Sequence, residues 1–139
     1  MPTGPDALLP RAARLLALRP AASMDEVATA AGISRATLFR RYPSRAALVS
    51  ALSERALTAY VDAVERARPA EGPPAEALRR VLGELAALAP DHGLLVLQPL
   101  DEHVERGLLD RARAVDERLT ALVRRGQESG DFRVDLPAD

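Results

Sequence analysis

Residues 23–45 read Ser23-Met-Asp-Glu-Val-Ala-Thr-Ala-Ala-Gly-Ile-Ser-Arg-Ala-Thr-Leu-Phe-Arg-Arg-Tyr-Pro-Ser-Arg45. Two short helical runs flank one glycine. A steep crossing of two helices needs a small residue where they approach, and Ala28 supplies it. Four residues on, the corner needs a positive φ, which Gly32 adopts without steric cost. Ile33 and Leu38 then fill the angle between the helices, with Val27 beneath. Ser34 caps the second helix and leaves its N-terminal face free, because its hydroxyl can accept from an unpaired first-turn N–H. Each element alone is a weak signal. The joint spacing of Ala28, Gly32, Ile33 and Leu38 predicts a helix-turn-helix, against the plainer alternative of two packed helices joined by a glycine turn.

Outward from this stretch, eleven prolines divide the chain into segments that read as helices. The first runs from about Asp6 or Pro10 to Leu18, with Leu8, Leu9, Ala12, Leu15 and Leu16 on one side. Short helices follow Ser23 and Ser34. A long one follows Ser44, from about Arg45 to Arg68, with Leu48, Leu52, Ala56, Ala59 and Ala63 at helical spacing. Pro69 to Pro74 is a linker. A fifth helix is expected from about Ala75 to Ala89 with Leu78, Leu82, Leu85 and Leu88 inward. A short apolar segment, Leu94 to Leu97, ends at Pro99. The last helix, about Asp101 to Ser129, carries Val104, Leu108, Ala112, Val115, Leu119 and Leu122 on one stripe, with Gly107 a candidate bend. Gly130 ends it in the left-handed conformation of a C-cap. No period-two alternation appears, so the expected class is all-α.

Composition agrees: 27 alanines and 22 leucines dominate 139 residues, and aromatics make up 3%. No cysteine is present, which removes disulfides and thiolate metal sites. No apolar run approaches the ~20 residues of a membrane span. The start, MPTGPDALLP, lacks the basic and apolar parts of a signal peptide. A soluble cytoplasmic protein without a membrane partner is expected. The net charge of −1 hides an asymmetry. Residues 1–45 hold seven arginines against three acids, and the remainder holds twelve against seventeen. Only the N-terminal third is suited to a polyanion.

The segment SMDEVATAAGISRATLFRRYPSRAALVSAL, residues 23–52, resembles the DNA-binding domain of TetR-type transcriptional repressors. The likeness extends more weakly back over Leu8 to Leu18 and forward to GDFRVDLP near the C-terminus. It implies a three-helix DNA-binding head in residues 1–46, a long connecting helix and a helical effector-binding body in residues 47–139. It also implies a ligand-responsive repressor that binds double-stranded DNA at a palindromic operator, as a homodimer released by a small-molecule inducer. Members of this family usually continue with two further helices that form the dimer interface, and these are missing from the 139 residues. Three readings stay open: a truncated chain, dimerisation through another surface such as the last helix, or a monomer.

The helix from Arg35 to about Tyr42 is then expected in the major groove. Arg35 can pair its fork with guanine O6 and N7. Thr37 can donate to a phosphate or touch a thymine methyl. Arg40 and Arg41 project from the exposed side towards bases or phosphates, with a solvated face as the plain alternative. Arg45 starts the next helix, where charge and free N–H groups suit a phosphate. Ser23 and Thr29 add backbone contacts. The sequence departs from the family at Phe39, commonly a tyrosine, and at Tyr42, usually a buried phenylalanine. Tyr42 reads as core that can lend a hydroxyl from a neighbouring position.

For the body, Tyr60, His92, Gln98 and His103 are the side chains best able to face an effector pocket among Leu82, Leu85, Leu95, Leu97 and Leu108. The two histidines stand eleven residues apart, which is not a metal-ligand spacing, so no metal or cofactor is expected. No Gly-x-Ser-x-Gly elbow and no phosphate-cradling glycine loop is present, so an enzyme is not expected. Two alternatives to the regulator are an interaction module that pairs with a full-length relative without gripping DNA firmly, and a small helical enzyme or carrier.

Overall fold

The computed structural model describes residues 7–92, 104–133 and 135. Among them stand six helices and no strand: α1 Leu8–Leu18, α2 Met24–Ala31, α3 Arg35–Arg41, α4 Arg45–Ala67, α5 Pro74–His92 and α6 Arg106–Glu128. The all-α expectation is borne out. The segment Leu94 to Leu97 lies outside the described residues. The described residues fall into two compact units, a head of residues 7–56 with 89–92 and a body of residues 57–88, 104–133 and 135.

In the head, α1 packs on α2 and α2 on α3. Leu8, Ala12 and Leu16 repeat every four residues on α1 and meet Val27, Ala28 and Ala31 of α2 and Leu38 of α3. Leu48, Leu52 and Ala56 of α4 complete this cluster, so the head's core runs past residue 46. Ile33 and Tyr42 pack against it half-buried. The corner after α2 is the left-handed glycine foreseen, with Gly32 at φ +71°. There the Gly32 N–H donates to Thr29 O and the Ile33 N–H to Ala28 O, both at 3.1 Å. These bonds occupy carbonyls that a helix end otherwise leaves open.

In the body, Leu57, Val61 and Val64 of α4 pack with Val104 and with Leu108, Ala112 and Val115 of α6. A smaller cluster joins Ala67, Ala77, Val81 and Leu122. The α6 stripe is the one expected from its spacing. For α5 the facing differs: Ala77 and Val81 turn inward, Leu78, Leu85 and Leu88 are half-buried, and Leu82 is 57% exposed. The sequence is apolar on two adjacent α5 faces, and the face with the smaller side chains makes the close approach. α5 also runs through Pro90 to His92, past the expected stop at Ala89. A proline near a helix end forfeits one backbone bond without breaking the turns before it. α6 begins at Arg106, so Gly107 lies in its first turn and bends nothing.

Both ends of the body's connections are closed from within. Gly130 takes φ +80°, and the Phe132 N–H donates to Gly126 O at 3.0 Å. The Phe132 ring lies so close over Gly126 that a Cβ there would stand 2.0 Å from it. Between α4 and α5, five successive carbonyls are held by two guanidinium groups. Arg80 donates to Ala67 O at 3.0 Å, Arg68 O at 3.1 Å and Glu71 O at 2.7 Å. Arg125 donates to Pro69 O at 2.9 Å and Ala70 O at 2.7 Å. On α6, Arg111 pairs with both Asp62 and Glu65 of α4 at 2.8 Å, and these acids raise its already high pKa.

Candidate nucleic-acid interface

The candidate interface is built on three helix starts and one corner. At α2, the Ser23 hydroxyl accepts from the Glu26 N–H at 3.2 Å, while the Glu26 carboxylate accepts from the Ser23 N–H at 2.7 Å. This is a reciprocal capping box. The Arg19 guanidinium also pairs with Glu26. The Ser23 N–H foremost, then Arg19, hold the Glu26 carboxyl below its ordinary pKa. The α2 N-terminus therefore already carries an anion of its own. What Ser23 retains for a phosphate is its hydroxyl proton.

At α3, the Ser34 hydroxyl accepts from the Thr37 N–H at 3.1 Å and bonds the Thr37 hydroxyl at 2.8 Å. This fixes the helix start that the corner presents to solvent. Arg35 follows at the first helical position and is exposed. Its Nη1 donates to Asp25 Oδ2 at 2.8 Å, and its guanidinium carbon lies 5.1 Å from the centroid of the Phe39 ring. Arg40 and Arg41 occupy the last turn of α3, both exposed. The Thr29 hydroxyl, also exposed, donates to Asp25 O at 3.0 Å. Tyr42 ends α3 half-buried against the head's core, in the core position read from its sequence context.

Arg45, expected at a phosphate, is engaged within the head. Its guanidinium donates to the carbonyls of Pro20 and Ala22 and so ties the first turn of α4 to the α1–α2 turn. Ser44 caps this helix by accepting from the Ala47 N–H at 3.1 Å. Arg11 similarly reaches Ala31 O at 3.3 Å. Sequence reasoning missed Asp25 as the partner of Arg35. The two are ten residues apart on different helices, and only the turn at Gly32 brings them together.

Of the expected effector-facing residues, Tyr60 is placed: its hydroxyl donates to Asp116 Oδ1 at 2.8 Å. Burial, and then Asp116, push this phenol well above its ordinary pKa. Tyr60 packs in the body cluster that holds Leu108, with Leu85 beside it, whereas Leu82 faces solvent. Gln98, His103, Leu95 and Leu97 lie outside the described residues, as does the side chain of His92. A groove of about 150 Å³ lies elsewhere in the body, between Pro69–Ala70 and Arg118, Leu122 and Arg125 of α6. Among the described residues no cluster of potential metal ligands occurs, and no helix is long and apolar enough to cross a membrane.

A short capped helix, set across a left-handed glycine corner and bearing exposed arginines, defines a helix-turn-helix head of the kind used by DNA-binding regulators. The description of bacterial regulatory proteins of the tetR family matches residues 8–52, from the start of α1 into α4. The chain belongs to the TetR family. It is 40% identical over 84 residues to the HTH-type transcriptional repressor LfrR of Mycolicibacterium smegmatis, a match covering 60% of this chain and 44% of that protein. It is 35% identical over 124 residues to the HTH-type transcriptional regulator NfxB of Pseudomonas aeruginosa, covering 86% of this chain and 65% of the relative. The chain thus spans less than two thirds of the length of either. The crystal structure of the TetR-like regulator LfrR from Mycobacterium smegmatis in complex with proflavine superposes with a TM-score of 0.70 at 33% identity. That superposition covers 86% of this chain and 70% of the other.

Proposed function

We propose that the chain acts as a sequence-specific, ligand-responsive transcriptional repressor and not as an enzyme, with residues 1–46 reading DNA and residues 47–139 forming a regulatory body. The observation that carries this reading is the exposed α3 face: Arg35, Arg40 and Arg41 stand in solvent on a helix capped by Ser34 and set off by the Gly32 corner. Arg35 reads base edges, and Thr37, Arg40 and Arg41 serve phosphates or adjacent bases. Ser23 contacts the backbone through its hydroxyl at the edge of the head, Thr29 does so by turning its hydroxyl proton from Asp25 O to a phosphate, and Tyr42 supports α3 from beneath. Arg45 sets the angle of the α4 start, and whichever of its N–H groups remains can add a phosphate contact. The partners are a double-stranded palindromic operator, a second copy of the chain and a small-molecule inducer, acting in the cytoplasm. Repression rather than activation is favoured by the 40% identity to a named repressor. An effector role for the body is favoured by the solved relative that holds proflavine. Tyr60, with His92, Gln98 and His103, remains the proposed effector-facing set.

The test is fluorescence anisotropy with duplexes taken from beside the chain's own gene, at several salt concentrations. Specific binding should weaken linearly with log salt. Arg35→Ala should cost ~1–3 kcal/mol and relax base preference, while Arg40→Ala with Arg41→Ala should lower the salt slope by about 2. Proflavine serves as the first inducer probe and should lower DNA affinity if it binds the body. Binding that ignores all three arginine changes would overturn the reading.

A further inference from the structure

We propose that Asp25 and Phe39 are specificity-determining residues: they hold the Arg35 guanidinium for a base edge and keep it off phosphate. The inference rests on α3 being the reading helix. An exposed arginine has five N–H donors and a long flexible stem, so it finds a phosphate as readily as a base. Arg35 is constrained twice, from two elements. Asp25, in the first turn of α2, accepts from Nη1 at 2.8 Å. Phe39, one turn along α3, lies beneath the guanidinium at 5.1 Å.

The Arg35 and Asp25 side chains are 67% and 57% exposed, and an ion pair so open to water contributes little to folding. Its effect falls on what Arg35 meets. With one Nη1 proton on Asp25 and one face on Phe39, the Nε and Nη2 donors have no other partner among the described residues. Those two N–H groups form the parallel fork that matches guanine O6 and N7. The Asp25 carboxylate meanwhile repels any phosphate that approaches the same guanidinium. Held this way, the arginine loses less rotamer freedom on binding a base, and the phosphate alternative is made less favourable. The sequence carries phenylalanine at 39, so this position has no hydroxyl for a phosphate but offers an aromatic shelf for the arginine.

The test is selection from a duplex library randomised over one half-site, run with the full chain and with Asp25→Asn, Asp25→Glu, Phe39→Leu and Arg35→Lys. Affinity for a scrambled duplex and melting temperature are measured alongside. Asp25→Asn should bind the scrambled duplex more tightly and lower the preference for the selected base pair about fivefold. Asp25→Glu should restore part of that preference, and Phe39→Leu should lower it. Arg35→Lys should flatten it, because an ammonium has no fork. If Asp25 matters only to the α2 end, Asp25→Asn lowers the melting temperature and leaves the base profile unchanged, which overturns the inference. If Arg35→Lys flattens the profile while Asp25→Asn and Phe39→Leu match the parent, this inference alone falls. If the parent chain selects no sequence, the DNA-reading proposal falls and this one with it.

Discussion

The two units close their helix ends by different means. In the head, the closing groups are three residues away: Ser23 with Glu26, Ser34 with Thr37, Ser44 with Ala47. Longer ties there come from Arg11 and Arg45. In the body the α6 end is closed locally through Gly130, but the α4–α5 connection is closed from afar. Arg80 reaches back nine to thirteen residues and Arg125 reaches back 55 and 56 to satisfy the carbonyls between α4 and α5. Local caps form as soon as a helix forms. Guanidinium clamps form only once the surrounding packing is in place. Arginine thus has two uses in one chain: facing solvent on α3 and satisfying backbone carbonyls, through Arg11 and Arg45 in the head and Arg80 and Arg125 in the body.

The largest test of this contrast is Leu38→Ala. Leu38 is fully buried in the head core, and truncation there should cost about 2–5 kcal/mol. Hydrogen exchange should show protection lost across α1 to α3 while α6 amides are spared. Equal loss in α6 would break the division into two units. Next comes Gly126→Ala, which drives a methyl into the Phe132 ring and should cost ~1–3 kcal/mol by chemical denaturation. Adding Phe132→Ala should make the pair markedly less than additive, because the second change removes the clash.

Smaller effects separate the two ways of closing a helix end. Arg80→Met removes three carbonyl bonds and should cost about 1–2 kcal/mol, with exchange accelerated in the α4–α5 connection. Ser23→Ala breaks the capping box and should cost about 1 kcal/mol, confined to α2. The smallest effect is set by pH. The Glu26 pKa is depressed in the folded head, so its contribution is complete above the unfolded glutamate pKa of about 4.3. It is lost as pH falls through the lower folded value. Glu26→Gln should therefore flatten the acid limb of the head's stability curve, measured by circular dichroism melts from neutral pH downward.

How much was legible follows the same line. Caps, the Gly32 corner, the α4 and α6 stripes and the Gly130 stop obey rules spanning about four residues, and each stands where its spacing put it. The exposed arginines of α3 were legible for the same reason. The facing of α5 was not, because leucines and small residues form two adjacent apolar faces and only three-dimensional packing chooses between them. The phosphate reading of Arg45 rests on its place at a helix start. Its commitment to Pro20 and Ala22 depends on how the α1–α2 turn folds back. The Asp25–Arg35 pair was invisible for a like reason, since no rule of helical spacing links residues across a corner.

The segment Pro69-Ala-Glu-Gly-Pro-Pro74 has the small, proline- and glycine-rich composition of a linker that would accept a grafted tag. Tolerance to insertion depends on what the local backbone is bonded to, not on composition. With five neighbouring carbonyls from Ala67 to Glu71 gripped by Arg80 and Arg125, cargo placed between Pro69 and Glu71 would prise both guanidinium groups from their seats. A graft after Gly72, just beyond the last gripped carbonyl, would leave that grip in place.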